Sequence, residues 1–400
     1  MNDGVLKGIR VLDFTQYLSG PYCAMFLADM GADVIIIENL LTNGEFVRNA
    51  RPKEKKTGRS MYFQNLNRNK RGVSLNLKSE EGKKIFTELV KSADVLLENM
   101  KPGVIGKLGF SYDVCKQLNP KIIFTSISGF GQTGEYSSRP GYDLIAQAMG
   151  GSMSITGWPG EEPTRAGMAI GDMMAGMNAA IGILGSIIKR QETGKGQQID
   201  VALVDSIVSG LEAKAMQYIY EGKAPEKSGN KYISSAPYDS FLAKDADFVI
   251  ASGTDKHFVA LSAAMGMPEL ASNSLYIDTE ARKKNADSLK AIINKWASDK
   301  TAKECVDIIL GVDVPAGPIY DIKDVCEDKN ISETRGMLVT VPHPEAGELV
   351  VLGNPIKMSE YPCEYKAAAP DLGQHNDEVL QEVGFNEKEI AKFRENGSIN

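Results

Sequence analysis

The sequence predicts an α/β fold whose large domain contains a Rossmann-like parallel sheet. Residues 9–14 form a short apolar segment, residues 22–30 have helical periodicity, and residues 32–38 form a second apolar segment. A strand, a helix and a strand in this order are the building block of a parallel sheet. Residues 72–77, 93–98 and 121–127 are three further apolar segments of strand length. We therefore expect five strands of one sheet in this part of the chain.

The predicted strands end at polar or small residues, namely Thr15, Glu38, Asn99, Ser128 and Gly129. Open parallel sheets bind their ligands beyond the carboxyl ends of the strands, so a ligand site is expected at this edge. No G-x-G-x-x-G motif follows the first strand, because Gly20 and Gly31 have the wrong spacing. The sequence therefore favours a Rossmann-like architecture that does not bind NAD.

The domain organisation is predicted from length and from a change of composition after Asp205. A chain of 400 residues is typical of roughly two to three domains. We predict that residues 1–205 form the N-terminal part of the large domain and that residues 206–230 form a helix and a linker. Residues 231–325 are predicted to form a smaller α+β domain, and residues 326–400 a linker and the C-terminal return to the large domain.

Composition excludes several classes of function. A net charge of −7 argues against a general nucleic-acid binder. The five cysteines are scattered and form no CxxC pair, which indicates a reducing, cytoplasmic compartment without structural zinc. The three histidines have no neighbour at metal-ligand spacing, so no metal site is expected. The N-terminus has no apolar signal core, and Asp172 and Asn178 interrupt the long apolar segment 168–188. The interrupted segment therefore predicts a buried core helix and not a helix that spans a membrane.

Asp172 is the strongest candidate for a catalytic residue. It lies among glycines, alanines and methionines at the head of the long helical segment. Burial of a carboxylate is costly, but the free N–H groups and the dipole of a helix N-terminus stabilise an anion. An ionised, poorly hydrated carboxylate with small neighbours is suited to nucleophilic catalysis. The alternative is an aspartate that only caps the helix.

Nine basic residues between positions 48 and 71 form a basic island in an otherwise acidic chain: Arg48, Arg51, Lys53, Lys55, Lys56, Arg59, Arg68, Lys70 and Arg71. Such a cluster could hold a phosphorylated small molecule. A solvated, lysine-rich loop is an equally good interpretation for any single member.

Short motifs occur along nearly the whole chain. They are residues 8–13 (GIRVLD), 19–21 (SGP), 31–35 (GADVI), 67–71 (NRNKR), 98–99 (EN), 101–103 (KPG), 128–131 (SGFG), 141–143 (GYD), 171–172 (GD), 193–197 (TGKGQ), 314–318 (VPAGP) and 372–375 (LGQH). Each motif is weak, but their order and spacing are specific. Together they resemble the class III CoA-transferase family, the group around the formyl-CoA and carnitine CoA-transferases.

This resemblance implies that Asp172 is the nucleophile of a CoA transfer. The aspartate would attack a donor thioester to give an aspartyl–acyl anhydride, and the CoA thiolate would convert the anhydride to an aspartyl-CoA thioester. An acceptor carboxylate and the thiolate would then complete the exchange. The protein must stabilise oxyanions and exclude water, and turns near Gly129, Gly131 and Gly171 could present backbone N–H groups for this purpose.

The resemblance also implies the substrates and the assembly. Coenzyme A would be a substrate, an acyl-CoA and a small carboxylic acid would be the partners, and no tightly bound cofactor would be needed. The CoA contacts implied are Gln16, Tyr17, Leu18, Ser19, Leu66, Asn69, Lys70, Arg71, Asn99, Met100, Val104, Lys107, Tyr142 and Asp143. Lys70, Arg71 and Lys107 have the chemistry of phosphate ligands. The family forms an intertwined homodimer, which we carry over as an expectation.

Two other functions stay open. An α-methylacyl-CoA racemase of the same fold needs two acid–base groups, and its pattern has a histidine where this chain has Tyr142. A tyrosine with a reference pKa of roughly 10 is a poor base at neutral pH, so transfer is favoured. A non-catalytic CoA-binding module would keep the basic island but have no use for Asp172. Asp143 is expected to orient substrate or backbone, and Asp205 to cap or pair at a helix end.

Overall fold

Six parallel strands form the main sheet of the computed structural model, which describes residues 4–400. The strands are β1 (Arg10–Phe14), β2 (Asp33–Asn39), β3 (Arg71–Leu75), β4 (Val95–Glu98), β5 (Ile123–Ser128) and β6 (Gln198–Ala202). Their order is β3-β2-β1-β4-β5-β6, and each neighbouring pair is parallel. The predicted Rossmann-like sheet is confirmed, with one strand more than expected. The strand order reverses between β1 and β4, which is where such sheets form a ligand crevice.

Helices pack on both faces of this sheet, and ten α-helices occur between Ser19 and Glu221. They are α1 (Ser19–Asp29), α2 (Met61–Asn67), α3 (Glu80–Ser92), α4 (Val104–Lys107), α5 (Tyr112–Leu118), α6 (Asp143–Met149), α7 (Ser152–Ile155), α8 (Ile170–Thr193), α9 (Leu203–Ser209) and α10 (Glu212–Glu221). Local sequence explains several ends: Ser60 and Ser79 cap α2 and α3 through their hydroxyls, and α8 stops at Gly194 in the left-handed conformation.

Two buried apolar clusters flank the sheet. One contains Ile85, Phe86 and Leu89 of α3. The other contains the small and apolar residues of α1 and α8, among them Ala24, Ala179 and Ile183. The small side chains let the two helices pack closely, and a Cβ added at Gly176 would lie 2.6 Å from the backbone oxygen of Ser19. This close approach sets the position of both helix N-termini relative to each other.

Helix α8 is long and apolar enough to span a membrane, and it is the only such helix found in residues 4–400. The prediction of a buried core helix is correct for one face, because Ala175, Ala179 and Ile183 are fully buried. The opposite face is not buried, since Ile181 and Ile188 are 67% and 64% exposed. The helix is therefore a core helix with an exposed apolar stripe.

The chain divides into two compact units: residues 1–152, 165–219 and 329–400 form the first, and residues 153–164 and 220–328 form the second. The first unit extends past the predicted boundary at residue 205, because Leu203 and Ile207 of α9 are buried in the α1–α8 cluster. Residues 153–164 join the second unit, where the backbone N–H of Gly229 donates to the carbonyl of Gly157. The single helix expected after residue 205 is two helices, which break at Gly210 and Leu211.

The second unit has a small antiparallel sheet and five helices in residues 220–328. Its elements are β7 (Tyr238–Leu242), β8 (Asp247–Ala251), α11 (Asp255–Ala264), α12 (Thr279–Lys284), α13 (Ala286–Ala297), α14 (Ala302–Leu310), β9 (Ala316–Pro318) and α15 (Ile322–Glu327). A core around Phe248, Leu261 and Ile293 holds them together.

The C-terminal residues return to the first unit as a hairpin, β10 (Leu338–His343) and β11 (Gly347–Leu352), and two helices, α16 (Asn376–Glu382) and α17 (Glu387–Glu395). They cover the edge strand β3: the backbone N–H of His375 donates to the Gly72 carbonyl, and the Gly72 N–H donates to the imidazole Nδ1 of His375, both at 2.9 Å. An edge strand covered in this way cannot pair with another chain.

Candidate active site

A cavity of about 600 Å³ opens at the carboxyl ends of the parallel strands in the first unit. Its walls include residues at or directly after the strand ends, such as Gln16 after β1, Asn76 after β3 and Asn99 after β4. Ser128 and Gly129 extend the wall at the end of β5. The expectation that strand ends form the ligand site is therefore consistent with the position of this cavity.

Asp172 lines this cavity from the first turn of α8, where it is the third helical residue. Burial and the nearby carboxylate of Asp143 raise the pKa of Asp172 to about 6, while a hydrogen bond with the Ser19 side chain lowers it. The carboxylate is consequently ionised at neutral pH yet held in conditions that favour its neutral form. Such a group gains more from losing its charge in a reaction than a fully solvated carboxylate does.

Asp143 holds the backbone directly before Asp172. Its Oδ1 accepts a 2.8 Å hydrogen bond from the Gly171 N–H, and its Oδ2 accepts one of 2.7 Å from the amide of Gln147. Gln147 is fully buried and accepts a hydrogen bond from the backbone N–H of Ala166. These contacts fix the chain segment that enters α8. Sequence reasoning missed Gln147, although its position one helical turn after Asp143 marks it as a partner.

Asn99 organises another part of the cavity lining. Its amide donates to the Gln16 carbonyl at 2.7 Å and to the Ser19 hydroxyl at 3.4 Å, and its Oδ1 accepts the Gln16 N–H at 2.8 Å. The Asn99 side chain thereby closes the loop between β1 and α1 and orients the hydroxyl that contacts Asp172. The preceding residue, Glu98, is buried and accepts the Met100 N–H at 2.8 Å. Burial raises the pKa of Glu98 to about 7.

The structure brings together eight of the predicted site residues. The residues that line the cavity are Asp172, Gln16, Tyr17, Ser19, Asn99, Met100, Val104 and Tyr142. Gly129 also lines it, whereas the Gly171 N–H is already used by Asp143. Gly131 lies outside the lining, next to the Asp200 carboxylate.

Seven of the fourteen predicted CoA contacts do not line the cavity: Leu18, Leu66, Asn69, Lys70, Arg71, Lys107 and Asp143. Leu18 and Leu66 pack in an apolar cluster, and Lys107 is exposed outside the cavity. Asn69 donates to Asp29 and to the Glu364 carbonyl. Asp143 contacts the backbone behind Asp172 rather than the cavity itself.

The predicted phosphate role of Lys70 and Arg71 is corrected by their ion pairs. The Lys70 amine is fully buried, 2.8 Å from the Asp13 carboxylate. Arg71 binds Asp33, Glu378 and Glu382 at 2.7 to 2.8 Å. Neither side chain can reach a ligand in the cavity without breaking these pairs.

Other members of the basic island are occupied in the same way. Arg48 pairs with Glu38 at 2.5 Å and donates to the Pro370 carbonyl, and Arg59 pairs with Asp371 and Glu345. Three of these partners belong to the C-terminal return. Arg48 and Arg59 therefore hold the C-terminal residues against the N-terminal part of the first unit. Sequence reasoning missed this role because the partners are about 300 positions away.

Three basic residues that sequence reasoning did not assign to the site do line the cavity: Lys78, Lys101 and Arg139. Within residues 4–400, none of them has an acidic side chain within 4.0 Å. The Arg139 guanidinium lies over the ring of Tyr136, 3.6 Å from its centroid. These cations are available to an anionic ligand. Lys78 and Lys101 follow the ends of β3 and β4, so the strand-end rule was the signal that pointed to them.

The part of the chain that the structure describes contains no group of three or more His, Cys, Asp or Glu side chains that could hold a metal ion. The chemistry that this cavity can support comes from one activated carboxylate, backbone and amide donors, and three cations. This set suits a substrate that carries both phosphates and an electrophilic carbonyl.

Comparison with known proteins agrees with this chemistry. The chain is 41% identical over 391 residues to succinyl-CoA:mesaconate CoA-transferase of Haloarcula marismortui, covering 95% of this chain and 97% of the relative. It is 38% identical to acetyl-CoA:oxalate CoA-transferase of Acetobacter aceti, covering 95% and 96% of the two chains.

A solved structure supports the same assignment. The crystal structure of a CAIB/BAIF family protein from Brucella suis superposes with a TM-score of 0.86 at 35% identity, covering 96% of this chain and all of the other. Residues 6–376 match CoA-transferase family III. This chain therefore belongs to CoA-transferase family III and, like its curated relatives, is a CoA-transferase.

Proposed function

We propose that this chain moves CoA from an acyl-CoA donor to a small carboxylic acid, with the Asp172 carboxylate as the nucleophile. One observation carries the proposal: Asp172 is the activated carboxylate in a cavity that also presents three cations with no acidic partner in residues 4–400. A CoA thioester has phosphates for the cations and an electrophilic carbonyl for the carboxylate.

The proposed reaction has four steps. An Asp172 oxygen attacks the thioester carbon of the donor, and CoA leaves as the thiolate to give a mixed anhydride. The thiolate attacks the Asp172 carbonyl carbon, which releases the donor acid and leaves an aspartyl-CoA thioester. The acceptor carboxylate attacks this thioester and expels the thiolate again. Finally, the thiolate attacks the acceptor acyl carbon, and Asp172 is regenerated as a carboxylate.

The residues around Asp172 have distinct tasks in this scheme. Asp143 and Gln147 fix the start of α8, and Asn99 orients the Ser19 hydroxyl beside the carboxylate. Lys78, Lys101 and Arg139 provide the positive charge that the phosphates of CoA require. No step needs a metal or a tightly bound cofactor, because each one exchanges an acyl bond for another of similar energy.

The contacts of Asp143 favour transfer over racemisation. A racemase needs two groups that exchange a proton with the α carbon. Asp143 is the carboxylate whose charge raises the pKa of Asp172. One of its oxygens accepts a hydrogen bond from Gly171 and the other accepts one from Gln147. The side chain beside it, Tyr142, is a phenol rather than the imidazole expected of a racemase.

The test is a search for the covalent intermediate. The protein is incubated with succinyl-CoA or acetyl-CoA, quenched, and measured by intact mass and by peptide mapping after hydroxylamine treatment. We expect an adduct on the peptide containing Asp172, and its loss in Asp172→Asn. The matched control is Asp205→Asn, an exposed aspartate in the first turn of α9. An equal adduct yield in Asp172→Asn would refute the assignment.

We also propose that the protein is a cytoplasmic homodimer. The exposed apolar stripe of α8, which includes Met177, Ile181 and Ile188, supports a second copy as the partner. The five cysteines are free thiols, which supports a reducing compartment. Sedimentation at micromolar concentration is expected to give a dimer and Ile181→Lys a monomer. A wild-type monomer would contradict the proposal.

A further inference from the structure

Tyr17 has a backbone conformation that a bulky residue rarely adopts. Its φ angle is +65°, in the left-handed region. The conformation is held by a 2.8 Å hydrogen bond from the Tyr17 N–H to the Glu45 carboxylate. Glu45 is itself buried and also accepts the Val47 N–H at 2.8 Å. Strained residues that are held in this way occur preferentially at functional sites.

The Tyr17 ring contacts two other aromatic rings. We call these three side chains the aromatic wall: Tyr17, Phe46 and Tyr142. The ring centroid of Tyr17 lies 5.9 Å from that of Phe46 and 6.1 Å from that of Tyr142, the latter at an interplanar angle of 84°. These rings are not core residues, because they are 42%, 71% and 64% exposed. Tyr17 and Tyr142 line the cavity, whereas Phe46 contacts the Tyr17 ring from outside its lining. Exposed aromatic side chains at a cavity are available to a ligand.

Two members of the aromatic wall, Tyr17 and Tyr142, are close in sequence to residues that contact or position Asp172. Tyr17 is two residues before Ser19, whose side chain hydrogen-bonds Asp172. Tyr142 precedes Asp143, which holds the backbone N–H of the residue before Asp172. Tyr17, Tyr142 and Asp172 also line the same cavity. A thioester carbonyl within reach of Asp172 therefore places its acyl group beside these rings.

Two of the charged residues near Tyr17 and Phe46 are already engaged, and Arg139, three residues before Tyr142 and without an acidic partner in residues 4–400, stacks over the ring of Tyr136. Glu45 is used by two backbone N–H groups, and Arg48 is paired with Glu38. The wall itself offers ring faces, ring edges and two phenol hydroxyls. Such a surface prefers a flat, uncharged π system, because ring edges and faces pack best against planar groups.

We infer that Tyr17 is a specificity-determining residue that selects acyl groups with a planar, unsaturated or aromatic part next to the thioester carbonyl. The inference rests on the proposed function for the position of the thioester. Of two acyl groups with the same number of carbon atoms, the conjugated one binds more tightly than the saturated one. Phe46 and Tyr142 support the ring of Tyr17 in this selection.

The experiment compares crotonyl-CoA with butyryl-CoA, two four-carbon thioesters that differ by one double bond. Equilibrium binding is measured by calorimetry in the Asp172→Asn background, which prevents turnover. We expect crotonyl-CoA to bind roughly two- to tenfold more tightly, the range given by aromatic contacts. Adding Tyr17→Ala is expected to bring the ratio to about one, and adding Tyr17→Phe to preserve it. Free CoA is measured in each protein as the reference ligand, so that a change in CoA binding itself is not counted as a change in acyl preference.

A second variant tests the same preference independently of Tyr17→Ala. Phe46→Ala, which removes the most exposed ring, is expected to reduce the preference even if Tyr17→Ala folds poorly. Equal affinities for the two thioesters, or a ratio that Tyr17→Ala and Phe46→Ala leave unchanged, would overturn the inference. A failure of the proposed function would appear instead as a missing Asp172 adduct in the wild-type protein and would leave these binding ratios intact.

Discussion

The Oδ1 atom of Asp143 lies 2.8 Å from the backbone nitrogen of Gly171 and accepts its hydrogen bond. The bond occupies a free backbone donor in the first turn of α8, and it places a second carboxylate near the proposed nucleophile. Asp143 therefore has two opposing effects: it fixes the position of Asp172, and its charge raises the pKa of that group. The two effects can be separated by substitution.

The first prediction is that Asp143→Asn shifts the acid limb of the pH profile. Activity needs ionised Asp172, so wild-type kcat/KM should fall as the pH drops through about 6. Asparagine keeps an oxygen for the Gly171 N–H and removes the charge, at the cost of the hydrogen bond from Gln147. The pKa of Asp172 therefore decreases and the limb moves to lower pH. A pH series of kcat/KM measures this shift, with Asp205→Asn as the control. A limb that stays near pH 6 would contradict the assigned cause.

The second prediction concerns stability. The folded-state pKa of Asp172 is above its ordinary value, so the folded protein binds more protons than the unfolded chain between about pH 4 and pH 6. The free energy of unfolding therefore decreases as the pH rises through this window. Above the window, the full destabilisation by the ionised carboxylate is present. Asp172→Asn should stabilise the protein at pH 8 by about 1–2 kcal/mol after discounting for partial exposure. The gain should vanish below about pH 4.

Thermal unfolding of Asp172→Asn and wild type at pH 8 and pH 4 checks the second prediction. Asp205→Asn is the control, because Asp205 is exposed in the first turn of its helix. A variant that is less stable than wild type at pH 8 would show that Asp172 is not an energetically costly ion.

Sequence reasoning anticipated the features that depend on local pattern. Five of the six parallel strands were predicted, because their apolar segments are continuous, and Asp172 was singled out from its small neighbours and its place at a helix start. It did not anticipate β6 (Gln198–Ala202), whose residues are mostly exposed or half-buried and so lack a continuous apolar signal.

The errors at the site have one physical cause. A basic residue looks the same in sequence whether it faces a ligand or a carboxylate far along the chain. The partner of Lys70 is 57 residues away, and one partner of Arg71 is 311 residues away. Lys78 has no such partner in residues 4–400 and lines the cavity. Only the folded structure distinguishes a basic residue that pairs with a carboxylate from one that lines the cavity.

The third prediction tests this distinction directly. Lys70→Met leaves the buried Asp13 carboxylate without its cation and should lower the free energy of unfolding by about 3–5 kcal/mol. Lys78→Met removes an exposed side chain and should change that free energy by less than about 0.5 kcal/mol. It should instead weaken CoA binding by about tenfold, because a charge-assisted phosphate contact is lost.

Denaturant unfolding and CoA binding are measured on both variants, with pantetheine as the ligand that lacks phosphates. Lys78→Met should bind pantetheine like the wild type. If Lys70→Met unfolds like the wild type but loses affinity for CoA, Lys70 is a phosphate ligand and the buried ion pair is not its main role.

The last prediction uses two glycines of α8. A Cβ at Gly176 would lie 2.6 Å from the Ser19 carbonyl oxygen and 3.4 Å from the Cys23 backbone nitrogen, so Gly176→Ala must push α1 away from α8. Ser19 would move with α1 and lose its contact with Asp172. We expect Gly176→Ala to lower both the melting temperature and kcat. The matched control is Gly185→Ala on the same helix, where an added Cβ meets nothing of this chain within 4 Å. Because Gly185 lies between Ile181 and Ile188 on the exposed stripe, the melting temperatures are compared in the Ile181→Lys background. Because alanine is the better helix former, Gly185→Ala should stabilise the protein by about 0.5–1 kcal/mol and leave kcat unchanged. Equal effects of the two substitutions would show that the close α1–α8 contact does not position the Ser19 hydroxyl.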